Sequence, residues 1–308
     1  MNRLFKRLSK RIASEGGWLA VIGNSCRTIQ KHGFKEFVLR AIRLFTNVNI
    51  HKNRNAYMLS DYIRRYADET GVVSSVHHDD MIFRFLVENP HFKTVEDAVE
   101  YYFKDGARSS RQLKKIIFSD LGINDIPAIQ ILEFASGYGC VTRHLVNDFL
   151  EENIVSCDIH REACSFISSE MRVKAILSST SPADFQIATN QFDIVFALSF
   201  FSHMPDSTWG AWQKALFKTI KPGGYFIFTT HGMTSASDHF GGPIIPESGI
   251  WFVPDSEQKD LDVKDYGNTI VTQEYVNTIV NDVLHASILI YVEACWWGHQ
   301  DLYVVRKV

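Results

Sequence analysis

From residue 126 to 308 the chain repeats one rhythm: a short apolar run, a turn, then a helical pattern. The runs fall at 129–133, 153–157, 173–176, 192–197, 225–230, 287–293 and 302–306, with helical patterns at 141–149, 161–169 and 209–220 between them. Strands separated by helices pair in parallel, and the helices cover both faces of the sheet. The last two runs stand too close for a crossover helix and must form an antiparallel hairpin. The expected fold is therefore α/β, a doubly wound, seven-stranded, mostly parallel sheet with an antiparallel last strand. No internal repeat or low-complexity tract interrupts it.

The first run leads into a glycine turn, ILEFASGYG at 131–139. Gly137 and Gly139 let backbone approach a ligand at the carboxyl edge of the sheet. A dinucleotide fingerprint would need a third glycine at position 142, which is Thr142. Glu133, four residues before Gly137, would repel a pyrophosphate but suits a ligand with an ammonium and a sulfonium, such as S-adenosylmethionine. Asp158 closes the second run in VSCDI, placed for a bidentate bond to a ribose diol, and Ile159 beside it offers adenine an apolar platform. Blander uses exist for both. A GxG can be a tight turn without a ligand, and Asp158 can cap the following helix.

The segments ILEFASGYGCVTRHL, VSCDIHREA, FDIVFALSFFSHMP, LFKTIKPGGYFIFTTHG and the terminal hairpin resemble, in order, the class I S-adenosylmethionine-dependent methyltransferases. The resemblance spans about residues 126–308. More narrowly it is similar to a bacterial branch with an SGYG turn, an S-x-F-x-H-x-P segment and a TTHG strand end. It implies a Rossmann-like fold, S-adenosylmethionine as cofactor, and a cofactor pocket from Glu133, Ala135, Gly137, Gly139, Asp158, Ile159, Ser179, Asp184 and Ala197. Departures from the pattern are Ala135 for the first glycine, Cys140 for a common Arg and His160 for a frequent Asp. The third strand ends in Ser178, Ser179 and Thr180 instead of an acidic residue, leaving the adenine amine to Asp184 or to backbone.

Methyl transfer is an in-line displacement at an activated carbon, so the protein chiefly aligns the partners. A hydroxyl acceptor also gains from a general base, most often His. His231, ending the fifth run before Gly232, is the favoured base, and His203 after the fourth run is second. Each has a structural alternative: His203 could cap the helix after Pro205, and His231 could bond loop backbone. The segment 197–200 lacks the N/D-P-P-Y/F pattern of base-amino methylases, which argues against nucleic-acid bases. Residues 232–270 read as a long covering loop with Trp251, Phe252 and Tyr266, suited to a sugar ring or to a small core of its own.

Ahead of this domain, residues 1–54 carry twelve Lys/Arg against Glu15 and Glu36, a net of +10, leaving −13 for the rest. Leu4, Leu8 and Ile12, then Phe34, Phe37, Val38, Ala41, Ile42 and Phe45, recur at helical spacing. Such basic amphipathic helices can pack on their own protein or a second subunit, lie on an anionic membrane surface through residues 1–46, or meet nucleic acid. Residues 55–125 are helical in pattern, with Thr94 and Asp97 forming an N-cap box. The 77–80 stretch, His-His-Asp-Asp, invites a metal, but neighbours on a helix or strand point apart, so none is expected. Five cysteines without a CxxC pair, no secretory signal and no run near the roughly 20 apolar residues of a membrane span lead to a cytoplasmic protein, with peripheral attachment at the inner membrane face left open.

The expected organisation is a basic extension (1–54), a helical region (55–125) and a methyltransferase domain (126–308). The expected activity is O-methylation of a sugar, glycan or related small metabolite, with a homo-oligomer open. A non-catalytic scaffold of the same fold, or an RNA or protein methyltransferase, is the alternative.

Overall fold

The computed structural model describes residues 61–125, 128–256, 258 and 260–308. The basic extension, the membrane contact expected of residues 1–46 and Cys26 lie outside the described residues. Three helices open the described residues: α1 (Asp61–Thr70), α2 (Met81–Glu88) and α3 (Val95–Lys115), the last running into one π-helical turn, Ile116–Asp120. The Thr94–Asp97 capping box is formed at α3, each side chain bonding the other's backbone N–H. Ile63, Val72, Phe83, Val87, Val99, Tyr102 and Phe103 make a small core between these helices.

α3 also ties that layer to the sheet domain. At Gly106 it comes so close to the glycine turn that an added Cβ would lie 2.1 Å from the Cys140 carbonyl oxygen. Farther along, Asp105 and Ser109 accept the indole N–H groups of Trp297 (2.7 Å) and Trp296 (3.1 Å).

The sheet domain runs β1 (Ile131–Phe134), α4 (Thr142–Leu145), β2 (Ile154–Asp158), α5 (Arg161–Glu170), β3 (Lys174–Leu177), β4 (Phe192–Ala197), α6 (Asp206–Thr219), β5 (Ile220–His231), α7 (Met233–His239), β6 (Ile250–Val253), β7 (Asn268–Val271), α8 (Gln273–Asp282), β8 (Ile288–Trp296) and β9 (Gln300–Arg306). Strands β3, β2, β1, β4 and β5 pair in parallel in that order. β9 pairs antiparallel with β5 and with β8. All seven expected strands are present. Successive side chains alternate between two cores. Leu132, Phe134, Val195, Ala197, Phe226 and Phe228 pack with Trp209, Trp212 and Leu216 of α6. Ile131, Ile154, Ile194, Phe196 and Ile227 pack on the other side with Leu145 and Ile167.

Two further strands appear where a long loop was expected, making nine. Residues 232–270 contain α7 and β6, and β6 pairs antiparallel with β7. β7 joins β5 at a single point, His231 against Ile270. β4 leaves β5 at Ala197 opposite Phe228, so the edge of β5 beyond it would carry unpaired backbone groups, and β7 takes that place. Two four-residue runs separated by fourteen residues of turn composition carry too little periodicity to be seen beforehand.

Candidate active site

The carboxyl edge of the sheet gathers two groups of side chains, one over β1 and β2, the other over β4, β5 and β7. At the first, Ala135 (φ 58°), Gly137 (φ 54°) and Gly139 (φ 78°) all take left-handed backbone. This explains why glycine is usual at the first position, and Ala135 holds that conformation at a cost of roughly 1–2 kcal/mol. Ser136 donates its N–H to Cys157 (3.2 Å) and Gly137 to Asp158 Oδ2 (2.8 Å), stitching the turn to β2. A Cβ at Gly139 would lie 2.7 Å from Met171 Sδ, whereas at Gly137 it would meet nothing within 4 Å. Gly139 thus serves packing, and Gly137 presents bare backbone to open space.

Two buried carboxylates flank the turn. Thr142 donates its hydroxyl to Glu133 Oε2 (2.6 Å) and Ser156 donates to the same oxygen (3.4 Å). Burial pushes the Glu133 carboxyl up to about 7, the two hydroxyls opposing it. The threonine that breaks the dinucleotide pattern is thus the partner of the glutamate that contradicts it. Asp158 accepts from Gly137 through Oδ2, and from the His160 N–H (3.0 Å) and ring Nδ1 (2.8 Å) through Oδ1. A carboxylate offers about four lone pairs, and here one remains, on Oδ2. The bidentate ribose bond expected from sequence therefore requires the His160 ring to turn away. That ring also makes an ion-pair contact of 2.9 Å with Asp260, off the line of a hydrogen bond. The bond to Asp158 raises its pKa above the ordinary histidine value despite burial.

Ile159 follows at the end of β2, half-buried, and Ala197 ends β4 opposite Phe134. Ser179 is occupied with its own turn, accepting the Ser181 N–H at 3.1 Å, and Asp184 is exposed. Among the described residues neither side chain bonds to the glycine turn.

Sequence reasoning missed Arg143. Fully buried, it donates to the carbonyls of Gly139 (3.0 Å), Val73 (2.9 Å), Ser75 (2.9 Å) and Tyr138 (3.4 Å), and to the Tyr102 hydroxyl. It straps the segment after α1 onto the turn, where the His77 ring stacks on Tyr138 at 4.7 Å. A single Arg in a helical pattern reads as exposed, so no local signal marks it.

That strapped segment corrects one expectation. Residues 77–80 form a turn, not a helix or strand, and the His77 and His78 rings lie 4.4 Å apart. His77, His78 and Asp79 are the one group of potential metal ligands that converges among the described residues, within 4.8 Å. His77 Nδ1 already accepts the Asp79 N–H, and His78 and Asp79 are exposed.

The second group is built of imidazoles and aromatic rings. His203 does not cap α6. Its Nδ1 donates to the Gly267 carbonyl (2.7 Å), which leaves the lone pair on Nε2, and its ring stacks on Tyr266 at 4.4 Å. His231 lies 6.0 Å from His203 between ring centroids, 5.1 Å from Phe240 and 5.8 Å from His299. It is buried, a backbone bond to Thr269 favours its charged form, and its Nδ1 has no partner. Burial, then the neighbouring histidines, drive its pKa well below the ordinary value. The two proposed bases are thus brought together, by a hairpin that the sequence did not reveal. His239 and Phe240 fall in the stretch read from sequence as a covering loop, and His299 in the turn of the terminal hairpin.

A doubly wound sheet with a glycine turn after β1 and acidic residues ending β1 and β2 defines a nucleoside-binding α/β class. Comparison with known proteins narrows it. Residues 131–224 match the family described as "Methyltransferase domain". Magnesium protoporphyrin IX methyltransferase from Synechocystis PCC 6803 is similar in structure, at a TM-score of 0.50 and 13% identity, over 80% of this chain and 99% of that one. A 1,6-didemethyltoxoflavin-N1-methyltransferase from Burkholderia thailandensis aligns at 0.46 and 12%, over 77% and 94% of the two chains. A methyltransferase from Clostridium acetobutylicum aligns at 0.44 and 14%, over 65% and 99%. No curated protein matches in sequence. Residues 131–224 thus match a methyltransferase domain, within a doubly wound fold that the chain shares with these structures.

Proposed function

We propose that the protein methylates a hydroxyl of a sugar, glycan or related small metabolite, with His231 as general base and His203 as its alternate. The observation that carries this reading is the unpartnered Nδ1 of His231, buried at the end of β5 and kept neutral by its surroundings. A neutral imidazole with an open lone pair can take a proton from a hydroxyl as the new bond forms. Tyr266, Phe240 and Trp251 supply aromatic faces beside it, which suit a sugar ring.

The other group fits the cofactor. Two buried carboxylates favour a positively charged ligand, and Gly137 leaves backbone open to it. When bound, S-adenosylmethionine supplies a methyl carbon activated by the sulfonium. Glu133 would face the positive charge, Asp158 the ribose hydroxyls and Ile159 the adenine. Ala135, Gly137, Gly139 and Ala197 would line the pocket, with Ser179 or Asp184 toward the adenine amine. A cation beside Glu133 would draw its carboxyl back to the ionised form.

We assign residues 1–54 to a basic extension, 55–125 to a helical region and 126–308 to the catalytic domain, with residues 1–46 as a contact for anionic membrane surfaces. Acidic liposomes should sediment the full chain but not one lacking residues 1–46, and less so at high salt. Equal sedimentation of both removes that assignment.

The acceptor class is tested by mass spectrometry of cell-surface glycans and small metabolites with and without the protein. A methyl increment confined to hydroxyl-bearing sugars or metabolites is expected. An increment only on RNA, on protein or on amines overturns the reading.

A further inference from the structure

The proposed base sits where water does not reach it directly. His231 is only 8% exposed, and the Phe240 ring lies against it at 5.1 Å. In an O-methylation the acceptor O–H bond breaks and oxygen uses that pair for the new O–C bond. The C–S bond breaks with its pair going to sulfur, and the proton passes to His231 Nδ1. His231 must then lose that proton before it can act again.

Beside it runs a graded series of imidazoles. His299, in the turn between β8 and β9, is half-buried, with its ring centroid 5.8 Å from that of His231. His239, at the end of α7, is exposed and 4.3 Å from His299. Ser235 orients the middle member. Its hydroxyl donates to the His299 carbonyl (2.6 Å), so its oxygen receives the His299 Nδ1–H (3.1 Å). The lone pair of neutral His299 is then on Nε2, the nitrogen available to take a proton.

We infer that His299 and His239 form an exit path carrying the acceptor proton from buried His231 to solvent. The proton moves from His231 to Nε2 of His299 and on to His239, with a bridging water where ring nitrogens stand more than a hydrogen bond apart. His239 gives it to bulk water. The other groups around His231 do not offer this route. His203 on the loop after β4 is buried beneath Tyr266, and Thr269 on β7 contributes backbone. Asp301 on β9 lies behind Gly232, its carboxylate held by Ala294 N–H and Tyr291. Among the described residues the acidic group acting on His299 is Asp238, which favours its charged form while His239 opposes it. Mutual repulsion keeps two adjacent rings from being charged together, so a proton arriving at one end is passed on at the other.

The inference rests on His231 as base, but its test is separate from methyl transfer. Nitrogen-15 histidine spectra of the full-length chain would report how fast the His231 ring proton exchanges with water. Exchange should slow about tenfold or more in both His299→Phe and His239→Gln, with thermal midpoints unchanged, a factor of ten corresponding to about 1.4 kcal/mol of barrier. Added free imidazole should restore it. Should His299→Phe fail to fold, His239→Gln at its exposed position decides alone. Wild-type exchange in His239→Gln overturns the path. Loss of the base reading would show instead as undiminished methyl transfer by His231→Ala.

Discussion

The two halves of the sheet's carboxyl edge hide charge in opposite ways. Over β1 and β2, Glu133 and Asp158 are buried acids; over β4, β5 and β7, His203 and His231 are buried bases. Burial raises the acid at 133 and lowers the base at 231, because leaving water disfavours a charge of either sign. Glu133 and His231 therefore lean toward their neutral forms until something changes the local charge balance. The acidic half gains from a cation, and the basic half is left ready to receive a proton. The same physical effect prepares one end for a ligand and the other for chemistry.

The largest test of this contrast is His231→Ala. It should retain cofactor affinity and lose on the order of 10²–10⁴-fold in methyl-transfer rate. Single-turnover measurements within about threefold of wild type would remove His231 from the chemistry. The wild-type rate should hold as pH falls through the ordinary histidine range and drop only below it, since the His231 pKa is depressed. An unperturbed histidine would instead give a drop near about 6.5.

Second comes the strap on the acidic half. Arg143→Met should leave the carbonyls of Val73 and Ser75 without their donor, Gly139 keeping the backbone N–H of residue 143, and lower stability by about 3–5 kcal/mol in denaturant unfolding. A loss under about 1 kcal/mol would mean that the segment after α1 is held otherwise.

Glu133→Gln sharpens the comparison through pH. In the folded chain Glu133 binds its proton more tightly than in the unfolded one, so the stability it confers is full below 4.5 and is lost as pH rises through about 7. The wild-type stability curve should carry a fall of about 3 kcal/mol across that window, and the Gln variant should lack it. Binding of S-adenosylmethionine near neutral pH should release a proton in wild type and none in the variant, measured by calorimetry in buffers of different ionisation enthalpy. Identical proton release in both would place the cation elsewhere.

Asp158→Ala is the smallest effect, a weakening of S-adenosylmethionine binding by roughly 1.5–3 kcal/mol through lost charge-assisted bonds. Part of that loss would be indirect, because the same carboxylate holds Gly137 and His160. His160→Ala, by freeing Oδ1, should tighten binding or leave it unchanged; a large loss would show that the histidine itself holds the ligand.

What the sequence determined is what local rules encode. Period-two and period-3.6 patterns placed the seven main strands and the helices among them, and spacing alone forced the β8–β9 hairpin. Glu133, Gly137, Gly139 and Asp158 could be read as candidates because they sit at fixed offsets along a strand, turn and helix. The tertiary structure decided everything that depends on segments distant in the chain. Ser156 meets Glu133 from the next strand, and Arg143 reaches back seventy residues to Val73. The histidine group is the clearest case. Its members come from a loop, a strand end, a helix end and the β8–β9 turn, and their closeness has two sources: β7 on the open edge of β5 brings in His203, and β9 paired with β5 brings in His299. No period along the chain records that closeness, because backbone pairing and burial across the fold create it.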